Sequence, residues 1–164
     1  MGDAQAPLSK ESAGLLLYRF VDGAPEVLLV HPGGPFWKRR DDGAWSIPKG
    51  EIEAGETREG VARREFAEEL GQPAPDVELT PLGSVRQAGG KVVHAWAGRG
   101  DLDVSRVNSV TFAVEWPPKS GRTQDFPEVD RAAWLGMAEA RRKILPAQSA
   151  FIERLEAMLP THEA

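Results

Sequence analysis

The stretch from Thr57 to Pro73, TREGVARREFAEELGQP, leaves the chain little choice of local structure. Thr57 is a good N-cap, Glu59 suits the positive end of a helix dipole, Gly71 permits the left-handed turn that closes a helix, and Pro73 forbids continuation. Turning each residue by ~100° lines up Ala62, Phe66 and Leu70, and gathers Glu65, Glu68 and Glu69 on one side next to apolar positions such as Val61. A fold built around this helix must bury one stripe and bring three carboxylates to the border of that burial.

Carboxylates held so close repel one another, and partial burial raises the cost of charging them. A positive partner is expected. Hard divalent cations with oxygen ligands fit best, because Mg²⁺ takes a few carboxylates together with water and substrate phosphate oxygens. Such an ion would neutralise charge on a phosphate and make water acidic enough to attack near neutral pH. The competing reading is a solvated acidic face with i,i+4 pairs such as Arg64 with Glu68.

Around this helix the pattern is mostly strands. Apolar runs at 13–20 and 26–30, separated by Asp22-Gly23-Ala24-Pro25, predict a hairpin. Residues 33–43 carry three glycines, one proline and five charges, and so read as a loop ahead of a short strand at 45–47. A second loop, 48–56, leads into the helix. Further strands are predicted at 77–86, 92–97, 107–116 and 132–135, and helices at 138–144 and 147–159. Strands first, one central helix and another helical region late make an α+β or α/β/α sandwich.

At 164 residues one domain is expected, spanning 1–164 with a flexible tail over 1–11. A net charge of −5 and a pI near 5.3 argue against a general nucleic-acid binder, which needs clustered positive charge. The absence of cysteine excludes disulfides, thiolate zinc sites and cysteine nucleophiles. No run of eighteen apolar residues predicts a membrane span, and no apolar leader opens the chain, so the cytoplasm is the expected location.

Gly50, five residues, Glu56, seven residues, then Arg64-Glu65-Phe66-Ala67-Glu68-Glu69-Leu70-Gly71 resembles the Nudix box. Only the last position departs, with Gln72 where an aliphatic residue is usual. The resemblance implies an α+β fold of the Nudix type, an α/β/α sandwich with a mixed β-sheet between helices, and metal-dependent hydrolysis of a diphosphate linkage in a nucleotide-like small molecule, with Mg²⁺ or Mn²⁺ as cofactor. It implies that Glu65 and Glu69 ligate the metal, that Glu68 ligates directly or through water, and that the Gly50 carbonyl faces the ion. Glu56 and Arg64 resemble the family's buried ion pair. The family often recruits another acid from a later loop, as a ligand or as the base that activates water. Glu128, six residues before Trp134, is the candidate here, with Asp125 and Asp130 as competitors.

Outside the box, Lys49 stands where a cation could meet substrate phosphates, and Lys38-Arg39-Arg40 adds a basic run of which Arg39 is a candidate contact. Trp45, Trp37 and Trp96 are candidates to stack on a base, although core packing is the commoner use of tryptophan. His31 and His94 have no second histidine at zinc-ligand spacing and read as structural. Trp45-Ser46-Ile47-Pro48-Lys49-Gly50 resembles the entry to the box in dinucleoside polyphosphate hydrolases, and nucleoside triphosphate pyrophosphohydrolases share parts of it. Substrate choice stays open among these, ADP-ribose and nucleotide sugars. The rival from another class is a non-catalytic Nudix-fold protein that only binds nucleotides or partners, a role that would tolerate loss of the three acids. The expected state is a monomer or homodimer.

Overall fold

The computed structural model describes residues 10–160. Of the tail expected over residues 1–11, the first nine fall outside the described residues, and the first strand already begins at Glu11. In chain order the elements are β1 (Glu11–Val21), β2 (Ala24–Pro32), β3 (Lys49–Glu51), α1 (Arg58–Leu70), β4 (Thr80–Arg86) and β5 (Val92–Arg99). They continue with β6 (Thr111–Glu115), β7 (Thr123–Pro127), β8 (Val129–Gly136), α2 (Met137–Lys143) and α3 (Ser149–Met158).

Strands β1 and β2 form the predicted hairpin. Asp22 and Gly23 sit at φ 52° and 81°, the doubly positive pair that matches strand twist in a two-residue turn. Their pairing covers only Tyr18–Val21 against Ala24–Val27, after which the strands part. Residues 46–51 fill the wedge. Ser46 exchanges two backbone hydrogen bonds with Val30, the Pro48 carbonyl accepts from the Leu15 amide at 3.1 Å, and β3 pairs antiparallel with Ser12–Gly14. Beyond the wedge, β2 pairs antiparallel with β8, β1 runs parallel to β5, and β4 closes the far edge. The result is the expected mixed sheet between helices.

Period-2 sorting explains why the central strands are apolar on both faces. Leu15, Leu17, Leu28 and Val30 pack against Val61, Phe66 and Leu70 of α1, while Leu16, Val27 and Leu29 pack against Ile144, Phe151, Ile152 and Leu155 on the other side. Burying Phe66 and Leu70 fully contributes ~1.5–3 kcal/mol each, more than intrinsic propensity gives a helix of this length. That burial fixes the rotation of α1 about its axis. The ends of the helix follow the sequence: the Thr57 hydroxyl accepts from the Gly60 amide, and Gly71 adopts φ 71°.

Several boundaries differ from expectation. Residues 45–47 make only isolated bridges, to Val30 and Ile144, and the strand lies at 49–51 within the expected loop. The 77–86 strand starts at Thr80, because the Val77 carbonyl turns aside to accept from the Arg63 guanidinium at 2.7 Å. The 107–116 strand shortens to β6, because the Asn108 and Val110 amides cap the carbonyls of Leu70 and Glu68 at the end of α1. Strand β7 was not foreseen; among the described residues it pairs only with β6, in a two-stranded sheet. Strand β8 begins three residues before the predicted 132–135, and the late helices are trimmed to α2 and α3. Among the described residues no helix is long and apolar enough to cross a membrane.

Candidate metal and phosphate site

The burial that orients α1 leaves Glu65 and Glu69, one turn apart, at the margin of its apolar stripe. Glu69 is 9% exposed and the Glu65 side chain 12%. Glu128, just before β8, reaches the same place from a segment some sixty residues later. Each of the three offers a carboxylate oxygen within 4.8 Å of the other two. Opposite oxygens on one Mg²⁺ stand about 4.2 Å apart, twice the ~2.1 Å ligand distance, so sub-ångström side-chain motion suits this trio to a hard divalent ion.

The electrostatics agree with that fit. Burial pushes the Glu69 carboxyl up to about 8, with Glu65 and Glu128 adding repulsion and Lys49 pulling the other way. Burial, then repulsion from Glu68, likewise raises Glu65 and Glu128 above the usual carboxylate range. Half-buried Lys49 is lowered by desolvation and by Lys91, against the pull of Glu69, Glu65 and Glu51. Lys49 and an Arg64 guanidinium that Glu65 shares with Glu56 and Glu68 are too little for this many carboxylates, and a divalent cation would supply the rest.

Arg64 braces the cluster. Its Nε and Nη2 donate to the two carboxylate oxygens of Glu56 at 2.8 and 3.0 Å, and its Nη1 donates to Glu65 at 2.9 Å and Glu68 at 3.0 Å. These bonds hold the guanidinium protonated and the Glu56 carboxyl below its ordinary range, with the Glu53 amide helping the latter. The Arg64–Glu56 pair is half-buried, with side chains 35% and 27% exposed, where the resemblance implied a buried pair. The i,i+4 contact of a solvated acidic face, Arg64 with Glu68, is present as well, and Glu68 stands on Arg64 outside the trio. Gly50 lies against Glu65 so closely that a Cβ would come within 2.0 Å of its carboxyl carbon. A side chain at this position would displace the acid.

Beside the carboxylates opens a cavity of about 400 Å³, lined by Lys49, Glu69 and Glu128 and by the rings of Phe36, Trp37 and Phe112. Phe36 is 63% exposed, an apolar ring left in water by the fold. Phe36 and Phe112 were missed in sequence, where an isolated phenylalanine looks like any core residue. So was Gln148, fully buried, which accepts from the Ile47 amide, donates to the Ser46 hydroxyl and thereby fixes part of the cavity wall.

Other expected contacts lie elsewhere. Trp45 is 4% exposed, its indole donates to Asp41 and its ring packs edge-on to His31, so it is a core residue and no platform for a base. Trp96 packs against the α1-side core. Arg39 lines an adjacent groove and not the cavity that holds Lys49. Asp125 lies exposed on β7, and Asp130 is bound by His31 Nδ1 at 2.9 Å, so neither joins the trio. His31, with no exposure, also reaches the Arg40 carbonyl, and His94 binds Glu11; both serve as structural ties.

The NUDIX domain model matches residues 9–155. Among solved structures, the chain is similar to the Ap4A hydrolase of C. elegans in a binary complex, at 22% identity and a TM-score of 0.64, covering 90% of this chain and 96% of that one. It is similar to the NUDIX domain of Shewanella oneidensis NrtR in complex with ADP ribose, at 20% identity and a TM-score of 0.65, covering 96% and 92%. A mutT/nudix family protein from Listeria innocua matches at 15% identity and a TM-score of 0.61, covering 93% and 94%. At these identities the structures establish the shared fold.

Proposed function

The chain belongs to the Nudix family and is a pyrophosphohydrolase by that membership, and on this footing we propose that it cleaves a diphosphate linkage in a nucleoside polyphosphate. The observation that carries this is the meeting of Glu65, Glu69 and Glu128 beside Lys49, in a cavity whose other lining includes three aromatic rings. Glu65, Glu69 and Glu128 would hold Mg²⁺ or Mn²⁺, with Glu68 and the Gly50 carbonyl contributing. When bound, the ion supplies charge neutralisation on the diphosphate and lowers the pKa of water.

The protein's own groups do the remaining work. Lys49 pairs with the phosphates, and Phe36, Trp37 and Phe112 hold the base by stacking. Arg64 keeps Glu65 and Glu68 in place, so little reorganisation is needed as the reaction proceeds. Glu128, with its affinity for a proton raised, is placed to accept one from the attacking water. The water oxygen forms a bond to phosphorus, the bridging P–O bond breaks, and its electron pair leaves with the departing phosphate.

The test is product identification after incubation with Mg²⁺ or Mn²⁺ and a panel of nucleoside triphosphates, dinucleoside polyphosphates, ADP-ribose and nucleotide sugars. Cleavage of at least one nucleoside polyphosphate is expected. Binding without cleavage of any would replace the hydrolase reading with that of a nucleotide-binding protein.

A further inference from the structure

Two residues past Glu128, strand β8 meets β2 through a break in register. His31 lies opposite Arg131 and Pro32 opposite Val129, so Asp130 is an extra residue with no partner across this ladder. Such a bulge re-aims the chain, because a shift of one residue exchanges the two faces of a strand. Ala132 and Trp134 pack on the α1 side of the sheet and Ala133 and Leu135 on the other, an alternation that would carry Val129 away from α1. Beyond the bulge Val129 packs on the α1 side instead, and it lines the cavity next to Glu128. This one step therefore decides how the acid enters the site.

The extra residue is pinned by a buried side chain. Asp130 Oδ1 stands 2.9 Å from His31 Nδ1, and His31 Nε2 stands 2.6 Å from the Arg40 carbonyl. The imidazole has no exposure, and its ring meets Trp45 edge-on at 5.3 Å. A polar group buried in an apolar strand costs free energy unless its hydrogen bonds are met, a demand that another leucine after Leu28, Leu29 and Val30 would not make. The bland reading is a core histidine satisfied at both nitrogens. What sets His31 apart is what it joins. On one side is the bulge; on the other is Arg40, whose amide donates to the Trp37 carbonyl at 2.9 Å within the loop that walls the cavity. The Glu128 carbonyl accepts from Gly33, and its amide donates to Val110, which in turn donates to the Glu68 carbonyl. The acid thus hangs between the end of α1 and the bulge, with the bulge held by His31.

We infer that His31 is a positioning residue for the reaction: by gripping Asp130 it fixes the bulge, and through the bulge the reach of Glu128 toward Glu65 and Glu69, in register with the cavity wall that it holds through Arg40. The inference rests on the hydrolase reading and adds to it a residue that stands outside both the carboxylate trio and the cavity lining. A misplaced acid costs turnover more than substrate binding, because Glu128 accepts its proton from the attacking water only as the bond to phosphorus forms.

The experiment measures kcat and KM with Mn²⁺ for the nucleoside polyphosphate cleaved fastest in the panel, together with Mn²⁺ affinity by calorimetry and the urea midpoint, in the wild type, Asp130→Ala, Asp130→Asn and His94→Leu. Asp130→Ala removes the pin at a side chain 29% exposed, and Asp130→Asn keeps an oxygen that can accept from His31 Nδ1. His94→Leu removes a comparable tie, to Glu11, outside the cavity lining. Asp130→Ala is expected to lose at least tenfold in kcat with KM within threefold, and at least threefold in Mn²⁺ affinity. Asp130→Asn should stay within threefold of the wild type in kcat, and His94→Leu within twofold whatever it does to the midpoint. The inference is overturned if Asp130→Ala keeps its turnover, if Asp130→Asn is no better than the alanine, or if His94→Leu loses as much turnover as Asp130→Ala. Should Asp130→Ala fail to fold, Asp130→Glu, which moves the carboxylate by one methylene and keeps its charge, takes its place with the same expected loss. If the wild type cleaves nothing in the panel, the hydrolase reading falls by itself; the positioning role then stands only if Asp130→Ala weakens Mn²⁺ binding and Asp130→Asn does not, and falls otherwise.

Discussion

Replacing Glu69 with Gln keeps its size and removes its charge, and the consequence for stability depends on pH in a way that can be worked out. In the folded chain the carboxyl titrates near 8 because it is buried, against an ordinary 4.5. Between those values the folded protein holds a proton that the unfolded protein has released. The group's contribution is therefore complete below pH 4.5 and is lost as pH rises through about 8. At 1.36 kcal/mol per pH unit the full loss is about 5 kcal/mol, which the glutamine variant never incurs. Urea denaturation in chelator at pH 5, 7 and 9 reads the difference between the two chains, in which titrations common to both cancel to first order. The two should be within about 1 kcal/mol at pH 5, and the variant should be more stable by roughly 3–5 kcal/mol at pH 9. Adding Mn²⁺ should favour the wild type instead, because the ion recruits the ionised carboxyl. Parallel pH profiles from 5 to 9 in chelator would refute the desolvation of Glu69, and the absence of any Mn²⁺ gain for the wild type over the variant would refute its part in a cation site.

Three further expectations follow from the same geometry. Gly50→Ala forces its Cβ against the Glu65 carboxyl, so turnover should fall at least tenfold and Mn²⁺ affinity should fall with it, by calorimetry on a chain still folded by circular dichroism. Arg64→Ala strands Glu56, Glu65 and Glu68 without their shared cation; with side chains this exposed the cost should be about 1–3 kcal/mol, below that of a fully buried pair, in the urea midpoint. Gly71→Ala meets both a positive φ and the Asn108 carbonyl at 2.3 Å, and should lower stability by about 1–3 kcal/mol without changing KM.

What was legible in the sequence is what local rules dictate. Helix α1 could be read to within a residue or two because its cap, its C-terminal glycine and its apolar stripe are all encoded in contiguous positions. The fold class followed from strands around one central helix with helices late, together with the family resemblance, and Glu128 was a candidate only because its spacing to Trp134 resembles the family's pattern. Tertiary pairing was hidden. Nothing in Lys49-Gly50-Glu51 favours a strand, and it becomes one because β1 and β2 part and leave donors and acceptors to be met. Strand β7 carries Gln124 and Asp125, poor strand formers, and exists through its pairing with β6. Trp45, a stacking candidate, went inside, while Phe36, in the expected loop and not singled out in sequence, lines the cavity with its ring exposed. Neither residue type encodes which side of a loop it will face.

Strands β6 and β7 hydrogen-bond as a pair to each other and add nothing to the main sheet, yet Phe112, Trp116, Gln124 and Phe126 all sit on this outrigger. The tip between them, 116–122, can therefore lengthen, shorten or change its chemistry while the register of β1 against β5 and the packing of α1 stay as they are. The wedge at 46–51 has no such latitude, since Gly50 is hemmed in by Glu65 and Gly14 by the Pro48 carbonyl. A lineage of such chains is thus free to vary its cargo at the hairpin while the machinery that breaks the bond is held still.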